Sequence, residues 1–168
     1  GVILAAVQND AKRLLAYSSI ENVGVIFIGL GIATLGQASG NHLVATIALC
    51  GALLHTVNHS LFKSLLFFGA GNIYSQMHTT LLDKFGGVAK HMPVTAILFF
   101  IATLAICALP PLNGFVGEFL IYLGMLDSVR DNVNTIYAAS GLLALALIGG
   151  IAVLAFSKLY STIFLGSP

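Results

Sequence analysis

Residues 43–73 read LVATIALCGALLHTVNHSLFKSLLFFGAGNI. A helical span needs roughly 20 largely apolar residues, so this stretch can cross a bilayer with length left for a tilt or bend. It must be a helix, because lipid offers no partner for the unpaired backbone groups of a lone strand. Inside the run stand His55, His59 and Lys63 at i, i+4 and i+8. That spacing places three titratable side chains on one helix face.

Three more apolar stretches flank it. The first covers Ala16–Ala38, with its apolar part beginning at Val23; another covers Pro93–Leu126 and contains Pro110-Pro111; the last covers Ile136–Leu165. Gly1–Val7 reads as the last turns of a helix that begins earlier. With no initiator Met, basic leader or cleavage-site pattern, the opening is not a signal peptide, and the chain reads as an internal piece of a longer protein. The expected fold is an all-α, polytopic transmembrane helix bundle: four full spans plus the tail of another, with one helix broken at Pro110-Pro111. Residues 1–168 would form a single transmembrane domain.

Composition supports this. Of 168 residues, 58% are hydrophobic and 8% charged, against about 25% charged in a soluble domain. Seven Lys and Arg with six Asp and Glu cannot cover a water-soluble surface, and mean hydropathy is +0.98. A net charge of +1 excludes a nucleic-acid binder, which needs clustered cations against phosphate. Cys50 and Cys107 lie in apolar runs without metal or redox spacing and read as small buried hydrophobes.

Charge asymmetry sets an expected orientation. Lys12, Arg13, Lys84, Lys90 and Lys158 fall on one side, and Arg130 with Asp127 and Asp131 on the other. The positive-inside rule puts the first group in the cytoplasm. Short connections make the helices an antiparallel bundle. His42, His78 and His91 read as loop residues, Tyr122 and Tyr160 as interfacial aromatics, Lys158 as a snorkelling lysine, and Gly149-Gly150 as a place for close helix packing.

Ionisable residues at membrane depth are rare and mark paths, partners or cavities. His55, His59 and Lys63, with Asn58 beside them, suit a chain of proton donors and acceptors, since His exchanges near neutral pH. Two other roles fit the same residues: hydrogen bonding between packed helices, or two metal ligands that lack a third in the same span. In the third stretch, Pro110, Pro111 and Gly114 break the helix, and Glu118 follows in the next apolar segment. Broken helices persist in lipid where protein or water satisfies the freed carbonyls, and transporters place sites there. Glu118 suits a proton site or a structural ion pair, with Lys63 or with a helix outside this chain. Lys12 and Glu21 are secondary candidates; Glu21 and Asn22 count as shallow, where a helix-end role is as fitting as a path. No phosphate loop, dinucleotide fingerprint, CxxC pair or haem-ligand arrangement is present, so the chain reads as carrying no cofactor of its own.

Three motifs carry a family resemblance. Asp10-Ala11-Lys12-Arg13-Leu14-Leu15-Ala16-Tyr17-Ser18-Ser19-Ile20-Glu21-Asn22-Val23-Gly24, then His55-Thr56-Val57-Asn58-His59-Ser60-Leu61-Phe62-Lys63-Ser64, then Leu109-Pro110-Pro111-Leu112-Asn113-Gly114-Phe115-Val116-Gly117-Glu118-Phe119 resemble, in order, the antiporter-like membrane subunits of respiratory complex I and its relatives. The Ser-Ile-Glu-Asn and His-Thr-Val-Asn-His-Ser versions look most similar to the large membrane subunit of hydrogenase-4 and formate hydrogenlyase. The resemblance implies two inverted five-helix repeats that conduct protons within a larger redox-driven complex. This chain would be most of the second repeat. It further implies that His55 and His59 lie on a central hydrophilic axis, that Lys63 is the lysine that often follows, and that Glu118 is the carboxylate of the broken helix on the outward path. Partners would be other membrane subunits and a peripheral redox arm, in a bacterial or archaeal inner membrane.

The primary expectation is a proton-translocating, non-redox membrane subunit of a complex-I-like hydrogenase or NADH:quinone oxidoreductase. The alternatives are a subunit of a cation/proton (Na+/H+) antiporter and a membrane scaffold that conducts nothing.

Overall fold

The computed structural model describes residues 1–132 and 134–166. Its helices are α1 (Val2–Ala6), α2 (Ala11–Ala38), α3 (His42–Met77), α4 (Pro93–Ile106), α5 (Asn113–Arg130) and α6 (Thr135–Phe164). Two 3-10 turns, Leu82–Lys84 and Val88–Lys90, lie between α3 and α4. By length and composition α2, α3 and α6 can each cross a membrane, and α4 is a shorter apolar helix. Phe27, Leu53, Leu61, Phe68, Val94, Leu147 and Leu154 are exposed on the outside. Helices apolar on every side suit a lipid surround, and the molecule is an integral membrane protein.

The helix starts follow local chemistry. Asp10 caps α2, its carboxylate accepting from the Arg13 amide at 2.9 Å, and Asn41 caps α3 through the Val44 amide at 3.1 Å. Pro93 opens α4, where its missing N–H costs nothing. His78 closes α3 in the left-handed region with φ 52°. The connection after α3 is pinned back onto the start of α2, with Ala11 N donating to Thr80 O at 2.9 Å and Leu82 N to Asn9 O at 2.8 Å.

α2 begins at Ala11, five residues ahead of the expected Ala16, because the Asp10 cap lets Lys12 and Arg13 fall inside its first turn. α3 continues past Ile73 to Met77. At 36 residues it is about 54 Å long. The expected third stretch is two helices laid end to end along it. Phe99 of α4 sits against Gly69, Gly117 of α5 against His55, and Gly124 against Ala48. Both therefore run antiparallel to α3. The break holds a cis Pro110-Pro111 peptide bond and Ala108 at φ 50°. α6 matches its expected bounds within a residue.

Several smaller expectations are corrected. Cys50 is exposed on α3 and Cys107 half-buried; an apolar run does not imply burial when lipid is the solvent. His42 is the first residue of α3 and not a loop residue. Among the described residues, nothing lies within 4 Å of where a Cβ on Gly149 or Gly150 would stand, so the expected close packing is not seen there. Tyr122 lies mid-way along α5, one turn from Glu118. Lys158 is bound to protein: its ammonium donates to Gln8 O at 3.1 Å, Asn9 Oδ1 at 3.2 Å and Ala6 O at 3.4 Å, holding the α1–α2 junction.

The core divides into two apolar clusters. One gathers Leu14, Leu15, Phe62, Leu66, Phe99, Phe156 and Leu159; the other gathers Val25, Ile32, Val44, Ala48, Ile121, Met125 and Leu145. Along α2 the first ends at Leu15 and the second begins at Val25. Between them lies a polar layer.

Candidate functional site

From α2 the layer receives Ser18, Glu21 and Asn22, which share a face through their i, i+3 and i+4 spacing. From α3 come His55, Asn58 and Lys63, and all six are buried. Since α2 starts at Ala11, Glu21 lies ten residues in, about 15 Å along the axis. Its exposure is 7%. The expected shallow, helix-end position is thereby corrected for both Glu21 and Asn22.

Lys63 reaches across to α2. Its Nζ donates to Leu15 O at 2.7 Å and to Ser18 Oγ at 2.5 Å, and Ser18 Oγ donates in turn to Leu15 O at 3.0 Å. One turn on, Asn22 Nδ2 donates to Ser18 O at 2.9 Å, and Asn22 Oδ1 faces His55 Nε2 at 3.1 Å. A continuous polar line thus runs His55–Asn22–Ser18–Lys63 across two helices. Lys63 and Glu21 interact through space, as do Glu21 and Glu118. The ammonium of Lys63 is spent on α2 and is hydrogen-bonded to neither carboxylate.

His59 is set differently. It is half-buried, and its ring meets the edge of Phe62 at 5.6 Å between centroids; Phe62 also meets His55, at 6.4 Å. The shared stripe on α3 is real, yet the hydrogen bonds leave it sideways toward α2.

The break in the α4–α5 pair seats the third helix of the layer. Asn58 Nδ2 donates to Asn113 O at 2.7 Å, and Asn113 Nδ2 to Asn58 Oδ1 at 3.4 Å, so α3 ties down the first turn of α5. Gly114 is demanded by close approach: a Cβ there would lie 1.9 Å from Ala105 O. Gly117 is similar, with a Cβ falling 2.8 Å from the His55 Cα. These contacts hold Glu118 beside a groove of about 210 Å³ lined by Cys107, Ala108, Phe115, Phe119 and Tyr122. Pro110 and Pro111 themselves are exposed.

Among the described residues, the buried polar atoms without a hydrogen-bond partner are Glu21 Oε2, His55 Nδ1, His59 Nε2 and Thr103 Oγ1. An unpaired buried polar group costs about 1–3 kcal/mol, so those of Glu21 and His59 mark the layer as a place that can take up water or protons. Among the described residues no three His, Cys, Asp or Glu side chains converge on a metal position.

Residues 1–146 match the family described as NADH:quinone oxidoreductase/Mrp antiporter, transmembrane. The chain belongs to this family. Over its whole length it is 43% identical to hydrogenase-4 component B of Escherichia coli, covering 25% of that protein. It is 40% identical to formate hydrogenlyase subunit 3 of the same organism, again over the whole chain and 28% of the relative. It thus spans about a quarter of the length of these relatives. Its fold is that of a chain in the Mrp complex from Dietzia sp. DQ12-45-1b, with a TM-score of 0.79 over 99% of this chain and 28% of the other, at 23% identity.

The expected family members His55, Lys63, Asn58, Glu21 and Gly114 are brought into or against the layer, with His59 and Glu118 at its half-buried margin. Lys12 stands apart, exposed, with its ammonium 4.3 Å from the centroid of the Tyr74 ring. Ser18, Thr103 and Asn113 were not singled out from sequence as site residues, and Asn22 was weighed only beside Glu21. Ser18 and Asn22 carry a signal of their own, an i, i+4 polar pair in register with Glu21, visible once α2 is started at its Asp10 cap.

Proposed function

We propose that this chain is part of a proton-translocating membrane subunit of a complex-I-like hydrogenase or NADH:quinone oxidoreductase. The observation that carries the reading is the buried polar layer, in which His55, Lys63, Glu21 and Glu118 converge from three helices with hydrogen-bonding capacity to spare. Titratable groups of this kind persist at membrane depth where they face a path. The likeness to the two Escherichia coli relatives, a hydrogenase component and a formate hydrogenlyase subunit, supports a redox-driven complex.

In this reading His55, His59, Lys63 and Glu118 move protons, with Glu21 and Asn58 in support, while electron transfer proceeds in a peripheral arm and shifts the local charges. Partners are the other membrane subunits of that complex. Residues 1–168 are most of the second five-helix repeat, four spans follow the tail of an earlier helix, and the Lys12, Arg13, Lys84 and Lys90 side faces the cytoplasm of a prokaryotic cell. The test is proton uptake into vesicles holding the whole complex, with Glu118→Gln compared against the parent while electron transfer is followed. Lost proton movement with slowed or uncoupled electron transfer is expected; unchanged proton movement would falsify the path through Glu118.

A second reading, a cation/proton antiporter subunit, is favoured by the likeness to the Mrp complex. Sodium movement by the intact protein without any electron donor would select it.

A further inference from the structure

Tyr122 stands mid-way along α5, between its start at Asn113 and its end at Arg130, where the interfacial preference of tyrosine does not account for it. Its ring packs against the second apolar cluster, a task that phenylalanine would perform as well. The hydroxyl is the part that needs a reason, since a polar group left unpaired in apolar surroundings costs about 1–3 kcal/mol. Among the described residues, no protein group hydrogen-bonds it. It faces instead the groove of about 210 Å³ that Tyr122 lines together with Glu118 and Cys107.

Glu118 and Tyr122 are i and i+4 on α5, so carboxyl and phenol rise from one helix face a turn apart, and the two groups interact through space. The other walls of the groove are apolar: Ala108, with Phe115 and Phe119 stacked at 5.2 Å between centroids. The space holds several water molecules. Among the lining side chains, the Glu118 carboxyl and the Tyr122 hydroxyl are the strong partners for such water, the Cys107 thiol being a weak one. Direction follows from the helix. Tyr122 lies about 6 Å beyond Glu118 and about 12 Å short of Arg130 along the axis. At that end Arg130 and Asp131 are exposed, and Asp131 Oδ2 accepts from Asn41 Nδ2 at 2.9 Å.

We infer that Tyr122 is a further proton-handling residue, whose hydroxyl, together with groove water, carries protons between Glu118 and the Arg130 end of α5. This rests on the proton-translocating reading above. The Glu118 O–H bond breaks as a groove water takes the proton and passes one of its own to a lone pair of the Tyr122 oxygen. The original phenol O–H bond then breaks toward water on the Arg130 side. Glu118 is left a carboxylate, the phenol is neutral again, and one proton has moved outward along the helix.

The experiment is infrared difference spectroscopy of the whole complex in lipid, with the protonated carboxyl band of Glu118 assigned as the one lost in Glu118→Gln. Tyr122→Phe keeps the ring against the apolar cluster and removes only the oxygen, so its melting temperature should equal the parent's. Its Glu118 carboxyl band should move to higher wavenumber, because the C=O group loses part of its hydrogen bonding. Proton uptake per electron transferred, measured in vesicles holding the same complex, should fall severalfold. A band unmoved by Tyr122→Phe overturns the water link to Glu118, and uptake at the parent's level overturns the relay. A fall in uptake that comes with a lower melting temperature makes the hydroxyl a structural tie and overturns the relay too. Failure of the proton reading is separable: Glu118→Gln with full proton movement would remove it, while the band shift in Tyr122→Phe would still report the contact across the groove.

Discussion

Lys63 of α3 lies with its ammonium nitrogen 2.5 Å from the Ser18 hydroxyl of α2 and 2.7 Å from the Leu15 carbonyl. The lysine is placed on a backbone oxygen and a hydroxyl, and not on a carboxylate, in a helix pair that Asn22 and His55 also link. Among the described residues, neither Glu21 nor Glu118 is hydrogen-bonded to it.

Replacing Lys63 by Met tests what that contact does. Met fills most of the same volume, and burial of a charge opposes its own hydrogen bonds, so the net stability change should be small, within about 1–2 kcal/mol. If the proposed proton path runs through Lys63, proton movement by the whole complex should fall. Thermal unfolding and vesicle proton uptake, measured on the same preparation, separate the two effects. A large drop in stability with proton movement retained would make Lys63 a structural tie.

Gly114→Ala should be more damaging than any conservative change at the break. Its Cβ would stand 1.9 Å from Ala105 O, and relief requires the end of α4 to move. Overpacking typically costs 1–3 kcal/mol; here about 3 kcal/mol or more is expected, because the obstructing atom is backbone. Gly117→Ala, at 2.8 Å from the His55 backbone, should cost less. The melting temperatures of the two variants in one detergent rank them.

Asp10 predicts an acid-sensitive junction outside the bilayer. Partial burial works to raise its carboxyl pKa, but the Thr80 hydroxyl, the Arg13 and Lys12 amides and the nearby Arg13 charge outweigh it and hold the group below the usual carboxylate range. The unfolded chain therefore takes up its proton first as pH falls. The contribution of Asp10 is in place above its ordinary value of 3.8 and is lost as pH drops through the lowered native value. Faster hydrogen exchange at the Arg13 amide should appear only in that acid range in the parent, and at neutral pH in Asp10→Ala. Loss of the cap should cost about 1 kcal/mol.

Lys158→Met should loosen the α1–α2 junction. The lysine supplies donors to Ala6 O, Gln8 O and Asn9 Oδ1 where the chain leaves one helix and enters the next. Removing them should cost about 1.5–3 kcal/mol locally, the range for hydrogen bonds to charged groups. Exchange at the Val7–Asp10 amides should accelerate, while the far end of α6 stays protected. Uniform acceleration along the chain would point instead to a global effect.

Much of this architecture was legible in the order of residues. Long apolar runs admit helices alone in lipid, so the bundle, the His55–His59–Lys63 face and the break at Pro110-Pro111 follow from composition and spacing. Helix lengths were less visible, because hydropathy marks where lipid contact begins and not where a helix begins. The Asp10 cap starts α2 at Ala11, and this shift carries Glu21 and Asn22 from the margin into the polar layer. Spacing along α3 also suggested a line running His55 to His59 to Lys63. Tertiary packing adds hydrogen bonds from that face to α2, from His55 to Asn22 and from Lys63 to Ser18 and Leu15, while Phe62 meets both histidine rings. Residue types and their periodicity state which groups can titrate and which helix face carries them. Which group faces which is decided only when α2, α3 and the α4–α5 pair pack together, because a hydrogen bond across helices depends on register and close approach, and neither is written in the sequence of one helix.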